Sequence, residues 1–217
     1  LVSAVLERAR TGQGRSISLA LSDVAFATVG HLGMLAEAAL GGVDRPPSGN
    51  DLYGAFGRDF PTADGARVMI VALTRKQWSG LVKVCSIADA VKALEERLGA
   101  DLSEEGARYA HRDAIAALVA PWVAARPLAE VAAAFDAAGV SWGPYQTMTE
   151  ALARDPRAST ANPLFTAIEQ PGVGSVLAAG SPLAAAGEAR SQARPAPSLG
   201  ADNDAILGDV LGLSSGA

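Results

Sequence analysis

The sequence predicts a mixed α/β fold, and three features that follow one another along its 217 residues support this prediction. Residues 1–47 contain a helix, a glycine-rich turn, a strand and a second helix, the order expected of one piece of an α/β layer. Residues 48–160 combine a loop and a hairpin with several helices, which is typical of a small α+β domain. Residues 161–217 are rich in proline and glycine turn signals, which favour an extended return segment over a disordered tail.

The first section is expected to begin with a helix at Leu1–Arg10 and a turn over Thr11–Gly14. Alternating residue types predict a strand at Ser16–Leu21, and Ser22 is a favourable N-cap for a helix that ends at Gly41-Gly42. A lone strand has no pairing partner within this section. We therefore expect its partner strands to lie upstream of the chain, which makes residues 1–47 the end of a larger α/β domain.

The second section is expected to open with a loop and a hairpin whose turn is Asp64-Gly65 and whose second strand covers the apolar run Val68–Leu73. Residue types that start and end helices then define the remaining elements. The first two expected helices are Arg75–Val84 and Ile87–Leu98, the second capped by Ser86. A third helical stretch is expected from a Ser103 cap through Val119, where Pro121 interrupts it, and a fourth at Leu128–Ala138, which Gly139 closes. A short strand is expected at Val140–Trp142, and a last helix starts at Thr147 or Thr149. In the third section, Asp202 or Asn203 is expected to cap a terminal helix that Gly212 ends.

The composition argues against several classes of function. The formal net charge is −5, so no basic surface indicates a nucleic-acid partner. Cys85 is the single cysteine, which excludes a disulfide within the chain and favours a buried structural thiol. No apolar run reaches the roughly 20 residues that a membrane span requires. We therefore expect a cytoplasmic protein that binds neither nucleic acid nor membrane, and we assign no metal ligands.

The two histidines offer little catalytic chemistry. His31 lies in an apolar stretch, where a buried core histidine is favoured over a residue that borders an active site. His111 stands beside Arg112 and Asp113, which favours a solvated helix face. Two distant histidines and the lack of a serine in a nucleophile elbow do not support a catalytic triad.

The segment Ser48–Gly65 is the strongest sequence indication of a ligand site. Four glycines in this segment, together with Tyr53 and Arg58, suggest a backbone that a ligand can approach closely. Functional residues concentrate on loops. On spacing alone, however, a ligand-facing loop and a plain connector are equally supported.

A series of short motifs extends this indication over nearly the whole chain. They are Thr11–Gly14, Ser22–Ala25, Gly30–Met34, Asn50–Gly65, Val71–Thr74, Gln77-Trp78, Asp155-Pro156, Asn162-Pro163, Glu169–Gly172, Gly180–Leu183 and Pro195–Gly200. The residues of these motifs and their order along the chain resemble those of the family III CoA-transferases, a family that also contains alpha-methylacyl-CoA racemases. The chain departs from the common family pattern at Arg15, where many members have glutamine, and at Ala201-Asp202-Asn203, where many have Glu-His-Thr.

The resemblance implies the C-terminal half of a two-domain fold. Residues 1–47 would end a Rossmann-like large domain, residues 48–160 would form the small α+β domain, and residues 161–217 would return to pack on the large domain. The family's nucleophilic aspartate would lie upstream of Leu1, so no catalytic residue is assigned in this chain. The resemblance also implies that the complete protein, formed with the missing N-terminal half, is an interlocked homodimer.

The same resemblance implies which residues lie near the substrate. CoA would enter as part of an acyl-CoA substrate, and no separate cofactor is expected. Arg58 would bind a free carboxylate of the substrate, although an ion pair with Asp59 or Asp64 is equally supported. The residues implied to lie near the acyl group are Asn50, Tyr53, Gly54, Gly57 and Arg58, with His31 as a possible active-site neighbour.

The implied activity is CoA transfer on a short dicarboxyl acyl-CoA through an aspartyl-CoA intermediate, and C1–C4 transfer of mesaconyl-CoA is favoured. An intermolecular acyl-CoA transferase and an alpha-methylacyl-CoA racemase are alternatives. Racemisation needs an acid–base pair, and the chain offers no obvious candidate beyond His31. A further alternative is an inactive half-protein that serves as a binding or assembly module. We expect the chain alone to be inactive because its nucleophile would come from another segment.

Overall fold

The structure, a computed structural model, describes residues 1–213. Helices dominate the described chain, and short strands stand between them. The elements in chain order are α1 (Val2–Thr11), α2 (Leu21–His31), α3 (Met34–Gly41), β1 (Phe56–Pro61), β2 (Arg67–Ala72), α4 (Arg75–Val84), α5 (Ala88–Leu98), α6 (Glu105–Ala110), α7 (Arg112–Ala124), α8 (Leu128–Ala138), β3 (Ser141–Pro144), α9 (Met148–Arg154), a 3₁₀ helix (Pro156–Ala158), β4 (Phe165–Gln170), β5 (Gly174–Ala179) and a π-helix (Ala205–Val210).

The chain divides into two compact units. The first contains Leu1–Asp59, Ile70–Trp122 and Ala133–Ser141. The second contains Phe60–Met69, Val123–Ala132 and the residues from Trp142 onward. The domain boundaries predicted from the sequence follow the family resemblance and stay a prediction.

The core of the first unit comes from the start of β1, the end of β2, helices α4 to α6, most of α7 and the second half of α8. Phe56, Ile70 and Leu81 are fully buried there, and Cys85 is 5% exposed, as expected of a structural thiol. In contrast, none of the residues of α1, α2 and α3 is buried. The packing that positions the candidate site is therefore built by the later helices of this unit.

Strands β1, β2 and β3 form a sheet in the order β1-β2-β3. The predicted turn at Asp64-Gly65 is confirmed, and Gly65 has a φ of 80°, which an L-residue with a side chain rarely adopts. Asp64 also accepts a hydrogen bond of 3.1 Å from the backbone N–H of Leu128. Because Leu128 is the first residue of α8, one turn carboxylate satisfies a free donor at a helix start.

The second unit contains a hairpin that the sequence analysis missed. Strands β4 and β5 pair antiparallel, from Phe165 opposite Ala179 to Gln170 opposite Gly174. The Gln170 side chain accepts a hydrogen bond of 2.7 Å from the N–H of Ala196 and donates one of 3.3 Å to its carbonyl. These bonds attach the proline-rich segment around Ala196 to the end of β4.

Three expectations for residues 1–47 are wrong. Residues 13–20 form no strand, because within residues 1–213 no neighbouring backbone pairs with them. Ser22 lies inside the first turn of α2, and Ala20 precedes that helix without a side-chain cap. The expected single helix is also broken, because Gly33 adopts a φ of 76° between α2 and α3. The predicted end at Gly41-Gly42 is confirmed.

Several capping assignments in the second section are corrected by the structure. Ser86 ends α4 instead of starting α5: it has a φ of 57°, its N–H bonds to the Lys83 carbonyl, and the next N–H reaches back to Val82. These two hydrogen bonds form a Schellman motif, in which the residue after the helix favours the left-handed region. The helix predicted from Ser103 is two helices that meet at His111, and Glu104 precedes the first of them.

The remaining helix predictions have mixed outcomes. Helix α4 and α8 have the expected bounds, and Thr147 starts α9 with a reciprocal capping box to Glu150. Pro121 does not end its helix, because α7 continues to Ala124 and buries Val119 and Val123 on either side of the proline. The terminal helix is a π-helix at Ala205–Val210 without a side-chain cap, so the predicted caps are wrong.

Within the described residues 1–213, no single helix combines the length and apolar character of a membrane span, although two strongly bent helix pairs meet those criteria together. The same part of the chain contains no group of three or more His, Cys, Asp or Glu residues that could hold a metal ion.

Candidate substrate loop

The predicted site residues other than His31 lie on the loop that leads into β1 and at the start of that strand. Gly49 and Gly54 have φ values of 57° and 84°, so two left-handed turns shape the loop. The N–H of Leu52 donates a hydrogen bond of 2.8 Å to the Gly57 carbonyl and closes residues 52–57 into a compact turn. We refer to residues 48–58 as the substrate loop, after the binding role that the family resemblance predicts for it.

The two glycines predicted to face the substrate have different surroundings. A Cβ atom on Gly57 would lie 2.7 Å from the Leu52 Cβ, so the absence of a side chain here allows the loop to close on itself. A Cβ atom on Gly54 would meet nothing within 4 Å. Gly54 is therefore the glycine whose backbone another molecule can approach.

Arg58 forms ion pairs with two carboxylates, neither of which is an expected partner. Its Nε and Nη2 atoms donate to the two oxygens of Asp51 at 2.5 and 2.7 Å, and Nη2 also donates to Asp113 Oδ1 at 2.7 Å. The predicted ion pair with Asp59 or Asp64 is wrong. The Asp51 side chain is 9% exposed, whereas the Asp113 side chain is 79% exposed.

A second arginine secures Asp51 from helix α7. Arg112 Nε donates a hydrogen bond of 2.9 Å to Asp51 Oδ2, and its Nη1 donates one of 3.0 Å to the Tyr109 carbonyl. The Arg112 guanidinium also lies 4.6 Å from the centre of the Tyr109 ring. The loop is thus fastened to the junction of α6 and α7 through charge-assisted bonds, which are stronger than neutral ones.

The two guanidinium groups on Asp51 lower its pKa below the ordinary value of 3.8, with the hydrogen bond from Arg58 as the largest cause. Asp51 reciprocally raises the pKa of Arg58, so that pair stays ionised at any physiological pH.

The Tyr53 side chain packs against one aromatic ring and one guanidinium group. Its ring packs edge-on against Tyr109 at 5.1 Å, and the Arg45 guanidinium lies 3.8 Å from the ring centre. Its hydroxyl donates a hydrogen bond of 3.3 Å to Glu37, which also forms an ion pair with Arg45. Glu37 and Arg45 line a small cavity of about 120 Å³. These contacts fix the orientation of an aromatic side chain that is still half exposed.

Five of the six predicted site residues lie on the substrate loop, and the sixth, His31, lies on α2. Asn50 is exposed and donates a hydrogen bond of 3.2 Å to Asp59. His31 is the last residue of α2 and is exposed, so the expectation of a core histidine is wrong. His111, which ends α6, is half-buried and not fully solvated.

Sequence patterns do not reveal the residues that hold the substrate loop in place. No motif in the sequence assigns an ion-pair role to Asp51, and Arg112 and Asp113 stand out there only as neighbours of a histidine. The spacing between Asp51 and Arg58 could have indicated their ion pair, since both lie in one short loop. No local signal indicates Asp113, which is 55 positions from Arg58.

A larger groove of about 520 Å³ lies on helices α4 and α5 and is lined in part by Trp78, Val82 and Lys83. None of the six predicted site residues, all within the described chain, lines this groove.

Comparison with known proteins establishes the family. A sequence model described as CoA-transferase family III matches residues 1–203. The chain belongs to the family III CoA-transferases. A curated relative from Chloroflexus aurantiacus, named 2-methylfumaryl-CoA isomerase, is 51% identical over 214 residues, which cover 99% of this chain and 52% of the relative.

Solved structures agree on the fold of this family III chain. A CAIB/BAIF family protein from Brucella suis superposes with a TM-score of 0.66 at 21% identity and covers 96% of this chain and 51% of its own. A mutant of Rv3272 from Mycobacterium tuberculosis superposes with a TM-score of 0.67 at 20% identity. The match covers 95% of this chain and 50% of the Rv3272 chain. The chain thus spans about half the length of the relatives that it matches. The predicted mixed α/β class and family are confirmed, and the coverage is consistent with the predicted half of the family fold.

Proposed function

We propose that this chain is part of an enzyme that moves CoA from the C1 to the C4 carboxyl group of mesaconyl-CoA, which is also called 2-methylfumaryl-CoA. The observation that carries this proposal is the 51% identity, over 99% of the chain, to a relative named for that isomerisation. The membership in CoA-transferase family III supports the general chemistry. The small dicarboxyl substrate suits a site whose cation binds the carboxylate that is not attached to CoA.

In the proposed reaction, an aspartate carboxylate from outside these 217 residues attacks the thioester carbonyl at C1. The C–S bond breaks, which gives a mixed anhydride and a CoA thiolate. The thiolate then attacks the aspartyl carbonyl, releases methylfumarate as the dianion and leaves an aspartyl-CoA thioester. No redox partner is needed, because each step exchanges one acyl bond for another.

The second half of the proposed reaction repeats these steps at the other carboxylate. The C4 carboxylate attacks the aspartyl-CoA thioester, and the thiolate leaves again. Attack of that thiolate on C4 restores the aspartate and gives the isomeric thioester. The methylfumarate must turn over or shift between the two halves, while water must stay away from the anhydride.

The described residues supply binding and shielding in this proposal, and none is assigned as a catalytic residue. The substrate loop would cover the reacting carbonyl, and the Gly54 backbone would be accessible, since a Cβ atom there would meet nothing within 4 Å. Arg58 would bind the free carboxylate. Asn50 and Tyr53 would border the acyl group, and the role of His31 as an active-site neighbour stays a prediction. We further propose a cytoplasmic, interlocked homodimer of the complete protein that needs no cofactor besides the CoA of its substrate.

The test is to incubate the complete protein with the C1 isomer of mesaconyl-CoA in the presence of excess ¹³C-labelled free mesaconate. Chromatography separates the C1 and C4 thioesters, and mass spectrometry measures the label in each. An unlabelled C4 thioester is the expected product. Label in the thioester would instead demonstrate intermolecular transfer and overturn the intramolecular assignment.

A parallel incubation of a 2-methylacyl-CoA in D₂O tests racemisation. Deuterium at the carbon next to the thioester would support the racemase alternative, and its absence is expected. The 217-residue chain alone should give no product in either assay. If the complete protein is also inert toward all of these substrates, the assembly-module alternative replaces the enzyme proposal.

A further inference from the structure

The two carboxylates on Arg58 are held very differently. Asp51 accepts two bonds from this guanidinium, at 2.5 and 2.7 Å, and a third from Arg112 at 2.9 Å. Asp113 accepts a single bond of 2.7 Å, from the Nη2 atom that also contacts Asp51. The Arg58 guanidinium therefore binds one carboxylate through two hydrogen bonds and the other through a single hydrogen bond.

Burial strengthens this difference. The Asp51 side chain is 9% exposed, so separation from its arginines would leave a largely desolvated charge. The Asp113 side chain is 79% exposed, and water can solvate its carboxylate as soon as it leaves Arg58. Asp113 also lies in the first turn of α7, where the helix dipole favours a negative charge without any arginine. Asp51 is thus a fixed partner, and Asp113 is an exchangeable one.

We propose that Asp113 is an internal competitor of the substrate: it occupies the face of Arg58 that binds the free carboxylate of a dicarboxyl acyl-CoA, and the substrate displaces it. This inference rests on the proposed function of Arg58. Asp51 is then a positioning residue that keeps the guanidinium oriented through the exchange. Asp113 sets how strongly the loop prefers a dicarboxyl substrate.

A quantitative expectation follows from the exposure of the pair. Exposed ion pairs contribute up to about 1 kcal/mol, which corresponds to about fivefold in an equilibrium constant. Removal of the competitor should therefore tighten binding of a dicarboxylate by a factor of up to about five. A thioester whose acyl group has no free carboxylate does not need Arg58 and should bind unchanged.

The decisive variant is Asp113→Asn in the complete protein, because an exposed side chain can be changed without disturbing the core. Asp89→Asn is a matched control: Asp89 is also exposed, also lies in the first turn of a helix, and forms no ion pair within residues 1–213. Titration calorimetry measures binding of 2-methylfumarate and of 2-methylcrotonyl-CoA, in which a methyl group replaces the free carboxylate of mesaconyl-CoA. Steady-state kinetics measures KM and kcat for mesaconyl-CoA.

The expected result is a lower dissociation constant for 2-methylfumarate and a lower KM for mesaconyl-CoA in Asp113→Asn. Binding of 2-methylcrotonyl-CoA to this variant, and all properties of Asp89→Asn, should be unaffected. Unchanged or weaker 2-methylfumarate binding in Asp113→Asn would overturn the inference even if the enzyme isomerises mesaconyl-CoA. If the enzyme does not isomerise it, but the dicarboxylate still binds more tightly to the variant, the competitor role stands and the proposed reaction fails.

Discussion

The carbonyl oxygen of Ala138 lies 2.8 Å from the position that a Cβ atom on Gly80 would occupy. Gly80 stands in the interior of α4, where glycine is normally less favourable than alanine by about 1 kcal/mol. Here the missing side chain lets the helix approach the backbone at the end of α8 directly. This close approach fixes part of the first unit, which also carries the substrate loop.

We expect Gly80→Ala to destabilise the protein by about 1–3 kcal/mol, because the new methyl group must push a backbone carbonyl aside. Gly106→Ala is the matched control, since a Cβ atom at this helical position meets nothing within 4 Å. The control should be neutral or stabilising by up to about 1 kcal/mol. Chemical denaturation followed by circular dichroism measures both changes, and equal effects of the two variants would contradict the packing argument.

A second prediction concerns the fully buried Arg108. It donates hydrogen bonds to three carbonyls, those of Leu73, Leu102 and Ser103, and burial lowers its pKa. Arg108→Met should cost at least about 3 kcal/mol, because it leaves these acceptors without their charged donor. Urea denaturation provides the measurement.

Arg75→Met serves as the control for Arg108, since Arg75 forms an ion pair with Glu104 in which both side chains are mostly exposed. Its loss should change stability by no more than about 1 kcal/mol. If Arg108→Met is as mild as Arg75→Met, the buried guanidinium does not hold the three segments together.

The third prediction is a pH dependence that Asp51 produces. Its pKa in the folded protein lies below the ordinary value of 3.8, so its charged form contributes stability that is fully present above that value. The contribution is lost as the pH falls through the depressed folded-state pKa, where the carboxylate becomes protonated. Asp51→Asn should therefore cost about 1–3 kcal/mol at neutral pH and progressively less below about pH 4.

Denaturation of the wild type and of Asp51→Asn at several pH values between 2 and 7 tests whether the stability difference shrinks as the pH falls. The two stability curves should converge in acid. A difference that stays constant over the whole range would show that the asparagine acts through packing and not through the lost charge.

Local signals explain which parts of the fold the sequence predicts well. The start of α4 follows from Thr74 and Gln77, which form a reciprocal capping box three residues apart. The same relation between Thr147 and Glu150 starts α9. Ser86 was misassigned because a serine between two helices can start the second or end the first. The double hydrogen bond to α4 that decides between them is a feature of the folded backbone.

Long-range contacts explain what the sequence could not predict. Arg58 and Asp59 are adjacent on β1, so their side chains point to opposite faces and an ion pair between them is disfavoured. Asp64 instead binds Thr62 and the start of α8. The partner Asp113 comes from α7, and its position depends on the packing of α6 and α7. The sequence therefore singled out the loop that carries Arg58 but not the residues that orient this arginine.

The fourth prediction tests whether Arg58 recognises the free carboxylate of the substrate. Charged hydrogen bonds contribute about 1.5–3 kcal/mol, so Arg58→Gln in the complete protein should lower kcat/KM for mesaconyl-CoA by about 10- to 100-fold. The substitution also leaves Asp51 with Arg112 alone, which weakens the loop for every substrate. The informative quantity is therefore a ratio of kcat/KM values, for mesaconyl-CoA and for a monocarboxyl acyl-CoA that the wild type also accepts.

Loss of carboxylate recognition should lower this ratio, whereas a general weakening of the loop should leave it unchanged. Arg157→Gln provides the control, because Arg157 is a 77% exposed arginine whose ion-pair partner is its near neighbour Asp155 in the second unit. It should change neither rate nor ratio. If Arg58→Gln lowers both rates equally, Arg58 only supports the loop, and the group that binds the second carboxylate must be sought elsewhere in the complete protein.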